Sequence, residues 1–269
     1  MTFREKKKTD PNLGFYDKVE AREFSSLLEV PDGRNPNQNA WLTITINYSL
    51  DFLDSNNLGG AIYKKQDKFY VKDFDKPPKE FLIRDWDAQS QIEFNRKFNK
   101  GAEFWNYKFL LMTPPDYNEL NYFSWTPSWL CQPNVICLFR LSSGGSPVHL
   151  PIQAVRLLTE DEDFRSSEYF YDNQDVNTKT LWHELGHALD QLHIKALLGD
   201  QKCLLIDISA RDCYVTPKGM EPNIMGDGKG LHAVNAKAWM ELIPYHTDNY
   251  FWHVSQNVMI PPRKFDVGR

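Results

Sequence analysis

Apolar and polar residues alternate along Trp41–Leu50. Leu42, Ile44 and Ile46 fall on one face, and Thr43, Thr45 and Asn47 on the other. That period of two predicts a half-buried strand. The same period returns at residues 148–154, where Val148, Leu150, Ile152 and Ala154 share a face and Pro151 interrupts the other. Proline offers no ladder donor, so this strand is predicted at a sheet edge. Shorter strands are predicted at Lys68–Val71, at Tyr107–Met112 (stopped by Pro114 and Pro115) and at Asn134–Leu141. Trp86–Trp105 reads as helix, with Ile92, Phe94, Phe98, Ala102 and Phe104 as inward positions. A second helix carries Leu181, Leu185, Ala188, Leu189 and Leu192 at helical spacing, with Asp175 or Asn177 as its cap. Asn235 is the predicted cap of a last helix, Ala236–Leu242, ending before Pro244. Residues 1–38 are polar and rich in turn formers, and read as an arm or irregular lead-in. Residues 51–80 read as an insertion, and the acidic run at 160–163 as a solvated loop.

The second helix holds the chemistry. His183-Glu184-Leu185-Gly186-His187 is an HExxH motif, and His193 follows six residues after its second His. Residues four apart share a helix face, so His183 and His187 can aim two imidazoles at one metal ion. Glu184 lies one position round the helix, beside that ion, where it can take a proton from a metal-bound water. The motif alone is moderately specific: chance supplies it in on the order of one per cent of chains this long. A plain amphipathic helix is the competing reading. The strong helical pattern, the third His, and Met225 in the turn context Pro222-Asn223-Ile224-Met225-Gly226 weigh against it.

The stretch His183–His193, with the turn at Met225, resembles the metzincin clan of zinc metallopeptidases. The resemblance implies one catalytic zinc ion held by His183, His187 and His193, with Glu184 as general base and Met225 packed beneath the site as a non-ligand. It also implies an α+β fold of the zincin type: a twisted mixed sheet, an edge strand over the active-site helix, and a small C-terminal subdomain with the Met-turn and a final helix. Domain boundaries follow as a lead-in over 1–38 and one catalytic domain over 39–269, divided into subdomains 39–193 and 194–269. Leu150 and Ile152 on the edge strand, and Gly226 and Gly228 after the Met, are then substrate-binding candidates, since an extended peptide can add to a free strand edge. Two departures stand out. Asp190 replaces the glycine that lets the family's chain turn out of the helix, although Asp is among the residues that tolerate a left-handed conformation. Asp227 stands where some members carry a Tyr, so His232, Tyr245 and His246 become candidate transition-state donors. If the helix instead ran straight to Gly199, the third ligand would be a carboxylate: Glu221, Asp207 or Asp212. A non-catalytic, zinc-stabilised binding domain is a further alternative, which an intact Glu184 argues against.

Composition narrows the setting. The chain has 269 residues, 41% of them hydrophobic, with 17 Phe, 12 Tyr and 8 Trp. A sizeable core therefore needs no disulfides. A net charge of −5 argues weakly against nucleic acid as partner; the resemblance implies a protein or peptide substrate, and a monomer is expected. No apolar run approaches the ~20 residues of a membrane span, and the N-terminus has no apolar signal core. The expectation is a cytoplasmic protein, or one exported as an effector or toxin by a route without a Sec signal. The four cysteines are Cys131, Cys137, Cys203 and Cys213. Local pairing would join Cys131 to Cys137 and Cys203 to Cys213, but free buried thiols fit equally.

Overall fold

A computed structural model describes residues 3–5, 15–20, 24–30, 39–59, 61–73, 77–114, 134–159, 164–167, 169–174, 179–205 and 211–255. The strands of the N-terminal part are β1 (Phe3–Glu5), β2 (Phe15–Glu20), β3 (Ser25–Val30) and β4 (Ala40–Leu53). Next come β5 (Ile62–Lys65), β6 (Lys68–Lys72), β7 (Glu80–Leu82) and helix α1 (Ala88–Gly101), which a 3-10 turn extends through Trp105. The middle supplies β8 (Leu110–Met112), β9 (Val135–Ser143), β10 (Leu150–Val155), β11 (Phe170–Asp172) and α2 (Lys179–Ala188). Then follow α3 (Ile194–Leu197), α4 (Gln201–Leu205), α5 (Arg211–Tyr214), α6 (Lys237–Thr247) and β12 (His253–Ser255). The protein is thus a mixed α and β fold with a mixed sheet.

Two compact units interleave along the chain: residues 1–45, 105–140 and 193–269 form one, and residues 46–104 and 141–192 the other. They do not follow one another as N- and C-terminal halves, because the boundary falls inside β4 and β9, each of which supplies residues to both.

In the first unit the sheet runs β1-β2-β3-β4-β9-β8-β12. Its β1–β4 ladder is antiparallel. Residues 1–38, expected as a lead-in, therefore contain three strands. Their short and weakly alternating segments become strands through pairing, such as Leu28 opposite Leu42. Leu42, Ile44 and Ile46 are fully buried, and Trp41 and Thr43 on the opposite face are largely buried too. Trp41, Leu110, Ile136 and Leu138 form a core cluster. The indole of Trp239 on α6 donates to the Leu138 carbonyl (3.0 Å) and packs on Phe109. Helix α6 runs through Pro244 to Thr247, past its expected end. The proline forfeits one helical bond. Burial of Leu242, Ile243 and His246 outweighs that loss, together with the bonds from Trp252 Nε1 to Thr247 Oγ1 and from Thr247 Oγ1 to the Ile243 carbonyl.

In the second unit the latter half of β4 pairs in parallel with β10, and β10 in parallel with β11. β10 is therefore an inner strand over Gln153–Val155, which corrects its expected place at an edge. Pro151 is tolerated because it lies opposite Ser49 of β4, ahead of the residues that pair with β11. The expected insertion is a three-stranded antiparallel sheet, β5-β6-β7. Its Ile62, Val71 and Phe81 share a core cluster with Leu53, Val155, Phe164 and Phe170. Asp87 caps α1 by a capping box with Ser90. The apolar face of α1 places Phe94 and Phe98 against Phe52, Tyr48 and Tyr171. Ile92, expected inward, is 64% exposed.

α1 also positions α2. A Cβ on Gly101 would lie 2.4 Å from a Leu181 methyl and 3.0 Å from one of Leu185, so the bare backbone is what lets the two helices meet. The rings of Phe104 and Trp182 stack alongside, 4.4 Å apart. Phe98→Ala is expected to lower the unfolding free energy by about 3–5 kcal/mol, read from denaturant midpoints. A loss below about 1 kcal/mol would show that the site collapses around the deleted ring.

Candidate metal centre

Helix α2 buries Leu181 and Leu185 fully, and this anchoring sets the direction of the next positions round. His183 is buried and His187 partly so, and their Nε2 atoms lie 3.1 Å apart. Nitrogens bound tetrahedrally at ~2.0–2.1 Å stand roughly 3.3 Å apart, so this pair already has the spacing of two ligands to one zinc-sized ion. The Nδ1 of His187 lies 2.7 Å from the carbonyl oxygen of Gln191. A carbonyl only accepts, so Nδ1 carries the proton and Nε2 keeps its lone pair. Burial lowers the His187 pKa, opposed by that carbonyl, and so favours the neutral, ligating form.

The helix ends one residue beyond α2. Asp190 takes a left-handed conformation, φ 57°. Its N–H donates to the His187 carbonyl (2.8 Å), and the Gln191 N–H donates to the Gly186 carbonyl (3.0 Å). This 5→2 and 6→1 pair is a Schellman motif, which usually places Gly at the residue Asp190 occupies. The reversal also presents the Gln191 carbonyl to His187. The chain does not run on as helix to Gly199. It extends to His193, buried at the start of α3 with φ −59° and ψ 154°. The ligand atoms of His183, His187 and His193 all lie within 4.8 Å of one another, a group able to hold a metal ion. Among the described residues this is the group of metal-ligating side chains with that geometry. A tetrahedral ion with ~2.1 Å bonds would separate its ligands by roughly 3.4 Å, against a widest separation of 4.8 Å in this group.

The segment after His193 is braced from two sides. The Ile194 N–H donates to the Met225 carbonyl (2.9 Å), and the His193 ring lies 3.7 Å from that of Tyr214. Met225 is fully buried in a turn organised by Asn223. The Asn223 side-chain oxygen accepts from the Met225 N–H (2.8 Å), and its amide donates to Asn235 Oδ1 (2.7 Å). Asn235 Oδ1 also accepts from the His232 N–H (2.8 Å). Asn235 therefore ties the turn together and does not cap α6, whose first turn is preceded by the 3-10 segment Ala233–Ala236. Neither Gln191, Tyr214, Asn223 nor Asn235 carries a sequence signal for these roles beyond lying near turn formers.

The other site expectations divide. Leu150 and Ile152 are 3% and 1% exposed. Their side chains belong to the core. A Cβ on Gly226 would stand 2.1 Å from the Tyr214 carbonyl oxygen, and one on Gly228 would stand 2.0 Å from that of Pro222. Both glycines thus serve close backbone approach within the turn. Glu221 and Asp212 are exposed and outside the histidine group, while Asp207 lies outside the described residues. His246 is buried against Ser26 Oγ (Nε2 to Oγ 3.0 Å), and Tyr245 is 56% exposed. Cys203 and Cys213 form a disulfide, and Cys137 is a free buried thiol whose pKa burial pushes well up; of the two readings left open for Cys137, pairing or a free buried thiol, it takes the second. Asp175, Asn177, Cys131 and the 160–163 run lie outside the described residues. No described helix is long and apolar enough to cross a membrane. Protein-family models, curated proteins and solved structures were each compared with the chain, and none matches it.

Two substitutions test this construction. Asp190→Asn preserves a side chain that tolerates the left-handed region, whereas Asp190→Val is expected to cost about 1–2 kcal/mol more in thermal or chemical unfolding. Equal stability of the two variants would show that residue 190 is not held left-handed. Asn223→Ala leaves the Met225 N–H and the Asn235 amide without their buried partner, and about 1–3 kcal/mol of stability should be lost.

Proposed function

We propose that the protein is a zinc-dependent endopeptidase that hydrolyses peptide bonds of a protein substrate, with Glu184 as general base. The observation carrying this reading is the convergence of three imidazoles from one continuous stretch, His183–His193. A structural site does not need a carboxylate at the position that follows its first ligand, whereas a hydrolytic site needs a general base there. A set of three neutral imidazoles suits zinc, leaving a fourth position open. Zinc bound there would lower the pKa of a coordinated water to about 7 and polarise a substrate carbonyl.

Glu184 is half-buried and follows His183 on α2, about 100° further round the helix. From there its carboxylate accepts the proton of the attacking water and returns it to the departing amine. His187 keeps its ligating nitrogen deprotonated through the Gln191 carbonyl. His193 is delivered by the reversal at Asp190, and Met225 packs under its segment without ligating. The resemblance of these residues to the metzincin motif supports the peptidase class over other zinc hydrolases.

One zinc per chain is expected in the purified protein by elemental analysis. Glu184→Gln should retain that zinc and lose at least 100-fold in turnover on a mixed protein substrate. His183→Ala and His193→Ala should lose the metal. Full activity in Glu184→Gln would remove the general base, and zinc retained with activity in His193→Ala would move the third ligand elsewhere. A wild type that takes up no zinc on reconstitution would end the proposal.

A further inference from the structure

We infer that Tyr214, anchored by the Cys203–Cys213 disulfide, is the positioning residue that sets His193 as third ligand. The inference rests on the metal-centre reading above and extends it to residues outside the motif. The tyrosine ring lies 3.7 Å from the His193 ring, tilted by 35°. Its backbone is fixed independently: the Tyr214 carbonyl accepts from the Asp227 N–H (3.2 Å), and a Cβ on Gly226 would approach that same oxygen to 2.1 Å. The Met-turn returns to the histidine through the bond from the Ile194 N–H to the Met225 carbonyl (2.9 Å). His193, Ile194, Met225, Gly226 and Tyr214 thus close a circuit in which moving any member moves the imidazole.

The disulfide completes it. α3, α4 and α5 have four, five and four residues, too short to hold their places by helix propensity. Cys203 on α4 and Cys213 on α5 are both 3% exposed and joined, with Cα atoms 5.6 Å apart. The bridge fixes residue 213, and with it the adjoining Tyr214. Thr216 adds a second tie, its hydroxyl donating to Asp227 Oδ1 (3.1 Å) and accepting from the Asn223 N–H (3.0 Å). His187 is oriented by a hydrogen bond at its second nitrogen; at His193 the Tyr214 ring supplies an aromatic plane that limits rotation of the imidazole without competing for its nitrogens.

The test measures zinc affinity of the 269-residue chain by competition with a chromophoric chelator, alongside the visible absorption of the cobalt(II)-substituted protein. Tyr214→Phe keeps the ring and should bind zinc within about threefold of wild type, while Tyr214→Leu should bind roughly 10–100-fold more weakly. Cys203→Ser/Cys213→Ser should weaken zinc in the same direction and change the cobalt spectrum as Tyr214→Leu does. Circular dichroism before titration selects folded protein, and the double serine variant decides if Tyr214→Leu does not fold. Wild-type zinc affinity and an unchanged cobalt spectrum in folded Tyr214→Leu, or in the double serine variant, would overturn the inference while leaving the metal centre intact. Failure of the wild type to bind zinc, with His183→Ala behaving identically, would instead remove the metal centre and this inference with it.

Discussion

The left-handed residue at Asp190 is the constraint on which the candidate site depends. A helix carried on past residue 190 would leave His193 about 80° round from His183 and roughly 15 Å further along the axis, out of reach of a shared ion. The reversal instead spends one non-glycine residue at φ 57° to bring the third imidazole back within 4.8 Å of the others. The energetic cost of that conformation, about 1–2 kcal/mol for an ordinary residue, is offset locally. Two carbonyls at the helix end receive donors, and the Gln191 carbonyl is delivered to His187. One backbone event therefore terminates the helix, selects a tautomer and redirects the chain.

Such an arrangement works only if its surroundings are stiff. α2 is seated by contact too close for any side chain at Gly101, and by the flat stack of Phe104 on Trp182. The segment beginning at His193 is seated by the Met225 carbonyl, by Tyr214 and by the turn that Asn223 and Asn235 organise. Beside the two ring contacts, these supports use either an absent Cβ or a buried, satisfied polar group where a larger or unpaired one would force the backbone apart. The glycines after Met225 belong to this class, which is why they read as pocket-forming in sequence and as packing in three dimensions.

The HExxH spacing, the third histidine and the candidate base were legible in the chain, because a helix converts spacing into direction without outside help. The strand at Trp41–Leu50, helix α1 and the turn at Met225 were legible for the same local reason. The pairing of Cys203 with Cys213 was one of several open possibilities, and the structure selected it. Less was visible wherever partners lie far off in sequence. Three strands within residues 1–38 needed one another and β4 to pair against. β10 read as an edge because Pro151 removes one donor, but the neighbour on its other side, β11, has three residues and no periodicity to announce it. α6 passes through Pro244 because the buried residues beyond it outweigh one lost bond.

Sequence by itself determined which chemistry this chain can assemble: three imidazoles, one adjoining carboxylate and a helix to order two of the three. It left open whether the third would arrive, since Asp at position 190 permits both a reversal and a continued helix. Tertiary structure decided that question. It also decided that Leu150 and Ile152 serve the core, and that Tyr214, Gln191 and Asn223 surround the site. The physical reason is one of range. Helical spacing and turn preference act over a few residues, whereas close backbone approach and ring stacking between segments 20 or more residues apart, such as Tyr214 on His193, exist only once the chain is packed.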